Sequence, residues 1–210
     1  MSIPGTHVHF KPTLTICMND PLVEVGVDVF HADESHISYA EEICETIFIA
    51  AQQRGTGIAR RTPEYITKKM TEGKAIIALT QDGRLAGFCY VETWEHGRYV
   101  ANSGLIVKPE FRKQNLARRI KKAAFELSRQ RYPHAKLFGI TTSAAVMKIN
   151  YELGYRPVHF SELTTDEAFW SGCKSCPNYD ILERTNRAMC LCTGMLADPA
   201  SSNNTSSEGA

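Results

Sequence analysis

The stretch VKPEFRKQNLARRIKKAAFELSRQ, residues 107–130, closes an apolar run, turns through a short basic loop and opens an amphipathic helix. Its reading decides the fold. Ile120, Ala123, Ala124 and Leu127 recur at helical spacing and predict the buried stripe. The amides at a helix start point outward unpaired, and the helix dipole adds positive charge there, so such a junction is suited to phosphate. Ten Lys or Arg stand against two acidic residues between Lys108 and Lys136, yet the 210-residue chain has a net charge of only +1. A local basic patch on a neutral protein argues against a general nucleic-acid binder.

Working outward, RYVANSGLIV (98–107) reads as the strand that feeds this loop. Before it, KAIIALT (74–80) and LAGFCYVETW (85–94) read as two strands, and Asp82-Gly83 between them is a hairpin signal. Val23, Val25, Val27 and Val29 alternate with polar or small residues from Leu22 on, which predicts a half-buried first strand. Asp33 or Ser35 can cap a helix whose stripe is Ile37, Ala40, Ile43, Ile47 and Ala50, running as far as Gln53. RGTGIARRTP breaks it, and Pro63 starts a second helix to about Met70. Downstream, KLFGITT (136–142) predicts a strand, AAVMKINYELG a helix ended by Gly154, and YRPVHF (155–160) the last strand. Thr164 and Glu167 have the spacing of a capping box for a short helix. The class is α/β (α+β), with helices on both faces of a mixed sheet. Residues 1–21 read as an extension, 22–160 as one domain, 161–197 as a cysteine-rich segment packed on it, and 198–210 as a disordered tail.

Composition narrows the class further. The 43% apolar content suffices for a packed core, and no apolar run nears the ~20 residues of a membrane helix. MSIPGTHVHFKP has neither a basic leader nor an apolar core, which predicts a cytoplasmic protein without membrane partners. Seven cysteines, an odd number, fit reduced thiols or a metal site better than a disulfide framework. Cys173-x-x-Cys176, then thirteen residues, then Cys190-x-Cys192 could supply four thiolates to one structural zinc.

Arg112 to Ala117, preceded by Val107 and Pro109, resembles motif A of the GCN5-related N-acetyltransferases, the GNAT family. That motif is Arg or Gln, two residues, Gly, one residue, then Gly or Ala. It is matched at Arg112 and Ala117, and Asn115 stands where the family has glycine. Asn is the residue that best replaces glycine in a left-handed turn. NYELGY (150–155) resembles the family's late Tyr-x-Lys-x-Gly-Phe signature, and the element order of residues 22–160 is the GNAT order. The resemblance implies a mainly antiparallel sheet with a splay for acetyl-CoA or another acyl-CoA between two parallel strands, here RYVANSGLIV and KLFGITT. It implies backbone contacts from Gln114, Asn115, Leu116, Ala117 and Arg118 to the coenzyme pyrophosphate, and from Ile106 and Val107 to the pantetheine.

By the same resemblance an acceptor amine attacks the thioester. The family's acid position falls on Asn150, suited to hydrogen bonding with the coenzyme or acyl group, with Tyr151 beside it as the candidate acid. Glu92, ahead of Glu95 and His96, is the candidate base through water, because the family's usual position falls near Ala101. The loop after the first helix carries Arg54, Arg60 and Arg61, whose guanidinium groups match a carboxylate, and Ser103 is placed for substrate contact. The whole chain looks like stand-alone N-acetylglutamate synthase-like members, some of whose relatives use succinyl-CoA. An acidic amino acid such as L-glutamate is the expected acceptor, as in arginine biosynthesis, and a homodimer is compatible. Action on protein amines, a non-catalytic acyl-CoA sensor and a zinc-stabilised nucleic-acid module are the alternatives.

Overall fold

The computed structural model describes residues 26–54 and 61–199. The extension 1–21, the predicted strand start at Leu22, Val23 and Val25, the loop holding Arg60, and the tail from residue 200 lie outside the described residues.

Among the described residues seven strands make one sheet in the order β1-β2-β3-β4-β5-β7-β6. β1 (Val27–His31), β2 (Ala75–Thr80), β3 (Leu85–Trp94) and β4 (Tyr99–Val107) are antiparallel neighbours. β3 is buried along nearly its whole length because both faces are covered. Phe88 and Tyr90 join a core with Ile43 of α1 (Ala40–Arg54) and Ile66 of α2 (Pro63–Thr71). Cys89 and Val91, pointing the other way, join Ile120 and Ala124 of α3 (Leu116–Arg131).

β5 (Lys136–Thr141) runs parallel to β4, as the family resemblance implies, but only three pairs form, from Tyr99↔Lys136 to Ala101↔Phe138. Beyond Ala101 the two strands part. A bulge assists the parting: two β4 residues, Gly104 and Leu105, stand opposite the single β3 residue Cys89, between the partners of Phe88 and Tyr90. Gly104 has φ +65°, and a Cβ there would come within 2.4 Å of the Tyr90 ring, so backbone and packing both require glycine.

After β5 come α4 (Ala144–Glu152), β6 (Arg156–Val158), α5 (Glu167–Ser171), α6 (Tyr179–Arg184) and β7 (Thr193–Ala197). β6 is not the last strand, as YRPVHF predicts. TGMLA forms β7, which inserts between β5 and β6 and pairs antiparallel with both. Two local expectations also change. Asp166, not Thr164, caps α5 by accepting from the Ala168 amide, and the Thr164 hydroxyl goes instead to Glu95 at 2.7 Å. Ile37 lies in a 3-10 turn capped by Asp33 and is 45% exposed, off the buried stripe.

Candidate active site

A cavity of about 570 Å³ passes through the gap where β4 and β5 part. On the α2 side, β3 contributes Tyr90, Glu92 and Trp94, which share one face at alternate positions. Glu92 pairs across the strands with Ala101, the position where the sequence comparison places a base and finds none. Cross-strand partners project to the same face, so the β3 carboxylate reaches the space that alanine leaves open.

Glu92 is 8% exposed and receives the Tyr65 hydroxyl hydrogen bond. Arg61 Nη2 and Lys69 Nζ each lie 3.8 Å from a Glu92 oxygen. Burial pushes the Glu92 carboxyl above the ordinary range, while the Arg61 charge and Ser103 hydrogen bonding oppose the rise. Arg61 Nε also donates to the Tyr90 hydroxyl at 2.6 Å. Burial, with the Lys74 charge, pulls Lys69 down to about 8. The site thus holds a carboxylate with elevated proton affinity beside a guanidinium that fixes its place.

On the α3 side the cavity reaches Lys121, Asn102 and Asn150. Among the described residues only two buried side-chain polar atoms lack a hydrogen-bond partner, Trp94 Nε1 and Asn150 Oδ1, and both residues line this cavity. Buried polar groups are nearly always paired, so an unpaired donor and acceptor in one cavity mark places for ligand groups. The wall is completed by the segment around α5 and α6, including Phe169, Trp170 and Tyr179.

The motif-A loop has the backbone a phosphate cradle needs. Lys113 and Asn115 adopt φ +65° and +61°, so asparagine fills the left-handed position that glycine takes in the family. Asn115 precedes α3 without a side-chain cap bond, leaving the helix start open to an anion. Arg112 Nε ties the loop to the Val107 carbonyl at 3.1 Å, and Arg118 reaches Glu152 at 2.8 Å. Gln114 is exposed, Leu116 buried and Ala117 intermediate. Ile106 and Val107 lie on β4 beyond its last pair with β5, where that strand edge faces the splay.

The remaining predicted site residues fall differently. Tyr151 is 72% exposed and does not line the cavity, because one residue along a helix turns the side chain about 100° away from buried Asn150. Arg61 joins the site, Arg54 ends α1, and Arg60 lies outside the described residues. Cys173, Cys176, Cys190 and Cys192 all line the cavity wall. Among the described residues no three His, Cys, Asp or Glu gather to hold a metal. Burial, with the charges of the neighbouring thiols, raises Cys173 to about 11 and Cys192 to about 12. No helix among the described residues is long and apolar enough to cross a membrane.

Residues 60–145 match the Acetyltransferase (GNAT) family. Solved structures agree in fold. N-acetylglutamate synthase from Neisseria gonorrhoeae, complexed with coenzyme A and N-acetyl-glutamate, is 16% identical at a TM-score of 0.57, covering 84% of this chain and 36% of its own. The protein yncA from Salmonella typhimurium, with its cofactor acetyl-CoA, is 14% identical at 0.57, covering 83% and 95%. Ribosomal-protein-S18-alanine N-acetyltransferase from Escherichia coli is 12% identical at 0.52, covering 86% and 98%. This chain therefore spans about a third of the Neisseria synthase. No curated protein matches the sequence.

Proposed function

We propose that this protein is an N-acyltransferase that moves an acyl group from acyl-CoA to the amino group of a small carboxylated acceptor, with L-glutamate as the leading candidate. The observation that carries this reading is buried Glu92, held by Tyr65 and flanked by Arg61, in a cavity that crosses the β4–β5 fork. Glu92 takes a proton from the acceptor ammonium, directly or through one water, and burial suits it by raising its proton affinity. Arg61 pairs with the acceptor carboxylate, and the Trp94 indole N–H supplies a second donor. The amides of Gln114 to Arg118 hold the pyrophosphate at the start of α3. Asn150 Oδ1 accepts from an N–H of the coenzyme arm. The coenzyme supplies the activated thioester; the chain supplies position and a base. Tyr151 keeps the role of acid only if it swings inward, so the departing thiolate takes its proton from solvent in this reading.

Mass spectrometry of products from purified protein, a pool of the twenty amino acids, and acetyl-CoA or succinyl-CoA tests the proposal. N-acylglutamate is the expected product. Coenzyme binding with no acylated amino acid from either donor would refute the acceptor class.

A further inference from the structure

Among the described residues Lys121 has no carboxylate partner. It lies on α3, is 2% exposed and lines the cavity. Its Nζ stands 3.4 Å from the carbonyl oxygen of Asn102, the first β4 residue past the last β4–β5 pair. The amine is therefore at the apex of the fork. Its other neighbours are the Tyr155 ring, with centroid 5.4 Å away, and the Cys89 thiol. The Tyr155 hydroxyl is already engaged with Asn102 Oδ1. Among the described residues Lys121 makes no ion pair, whereas Arg61 and Lys69 on the opposite face of the sheet share Glu92.

An unpaired buried ammonium is costly, and a leucine or methionine would fill the same space without that cost. The arrangement makes chemical sense if an anion enters through the fork. The acceptor carboxylate has Arg61 on the α2 side, so the anion that reaches the α3 side arrives with the donor. We infer that Lys121 is the counter-ion for a carboxylate at the end of the donor's acyl chain, so that the site prefers dicarboxylic acyl thioesters to acetyl or simple alkyl ones. This rests on the acyl-CoA reading above. Burial holds the Lys121 pKa down in the free protein, and an arriving carboxylate raises it again as the pair forms.

Calorimetric binding of CoA, butyryl-CoA and succinyl-CoA to wild type and Lys121→Met tests it without any acceptor. Butyryl matches succinyl in chain length but lacks the carboxylate. Wild type is expected to bind succinyl-CoA at least tenfold tighter than butyryl-CoA, with that ratio falling to about one in Lys121→Met. Equal binding of the two thioesters by wild type overturns the counter-ion and leaves the acyl-CoA reading standing. Absence of binding by CoA and both thioesters overturns the two together. The wild-type ratio decides the matter even if the variant fails to fold.

Discussion

Replacing Lys121 by methionine should stabilise the ligand-free protein, by an amount that shrinks as pH rises. The side chain is 2% exposed and its amine has no carboxylate partner among the described residues, so methionine keeps the aliphatic packing and removes only the ionisable end. Burying an unpaired ammonium costs at most about 4–5 kcal/mol at pH 7, because deprotonation caps it: each pH unit below the unfolded value near 10.4 is worth about 1.4 kcal/mol. Against this stands the long contact with the Asn102 carbonyl at 3.4 Å, worth at most about 1 kcal/mol. A net gain of up to about 4 kcal/mol at neutral pH follows. The sign with pH is fixed by the direction of the shift. The folded state holds the amine below its unfolded pKa. Between those two values the unfolded chain carries the extra proton, so wild-type stability climbs with pH and the variant lacks that climb. Urea unfolding of both proteins at several pH values from about 6 to about 9 should show the gap closing by up to about 1.4 kcal/mol per unit. A gap independent of pH, or a variant less stable throughout, would refute the reasoning.

Three further outcomes are expected. Glu92→Gln should lower kcat/KM by about 10²–10⁴-fold and abolish an acid limb that lies above the ordinary carboxylate value near 4.3, as pH–rate profiles would record. Arg61→Ala should raise KM for a carboxylated acceptor by roughly 10–100-fold, the worth of a charge-assisted hydrogen bond, with a smaller effect on kcat; a KM unchanged in steady-state kinetics would remove Arg61 from the acceptor site. Gly104→Ala should cost about 2–4 kcal/mol in urea unfolding, about 1 for a left-handed residue with Cβ and the rest for displacing the Tyr90 ring, which a Cβ would approach to 2.4 Å.

What the sequence disclosed depended on periodicity and on local turn chemistry. The parallel relation of β4 and β5 and the left-handed Asn115 were legible because a motif fixed the order of elements and asparagine tolerates that backbone. β7 was not legible. TGMLA is only five residues long, shows no clean alternation, and follows two cysteines whose spacing resembles that of metal ligands. Glu92 emerged as a candidate, but Tyr90 and Trp94 did not, although reading two residues either way from Glu92 along one strand face finds both. Tyr65 and Lys69 come from α2, so only tertiary packing brings them to Glu92. Lys121 escaped because lysine on a basic helix reads as solvated surface. With Ala124 and Ser128 it follows an i, i+3, i+7 spacing on a buried face.

The place of β7 ties the rim of the cavity to the end of the sheet. β6 has three residues and pairs only with β7, while β7 also holds β5. The chain reaches β7 through Cys190 and Cys192, which line the cavity. If β7 lets go, β6 loses its sheet partner and the cavity loses part of its wall in the same event, so the three behave as one opening unit. A molecule bound in the cavity would then slow amide exchange in β6, although none of the three β6 residues lines that cavity. The shortest strand, at the outer edge of the sheet, becomes a remote reporter of whether the cavity is filled.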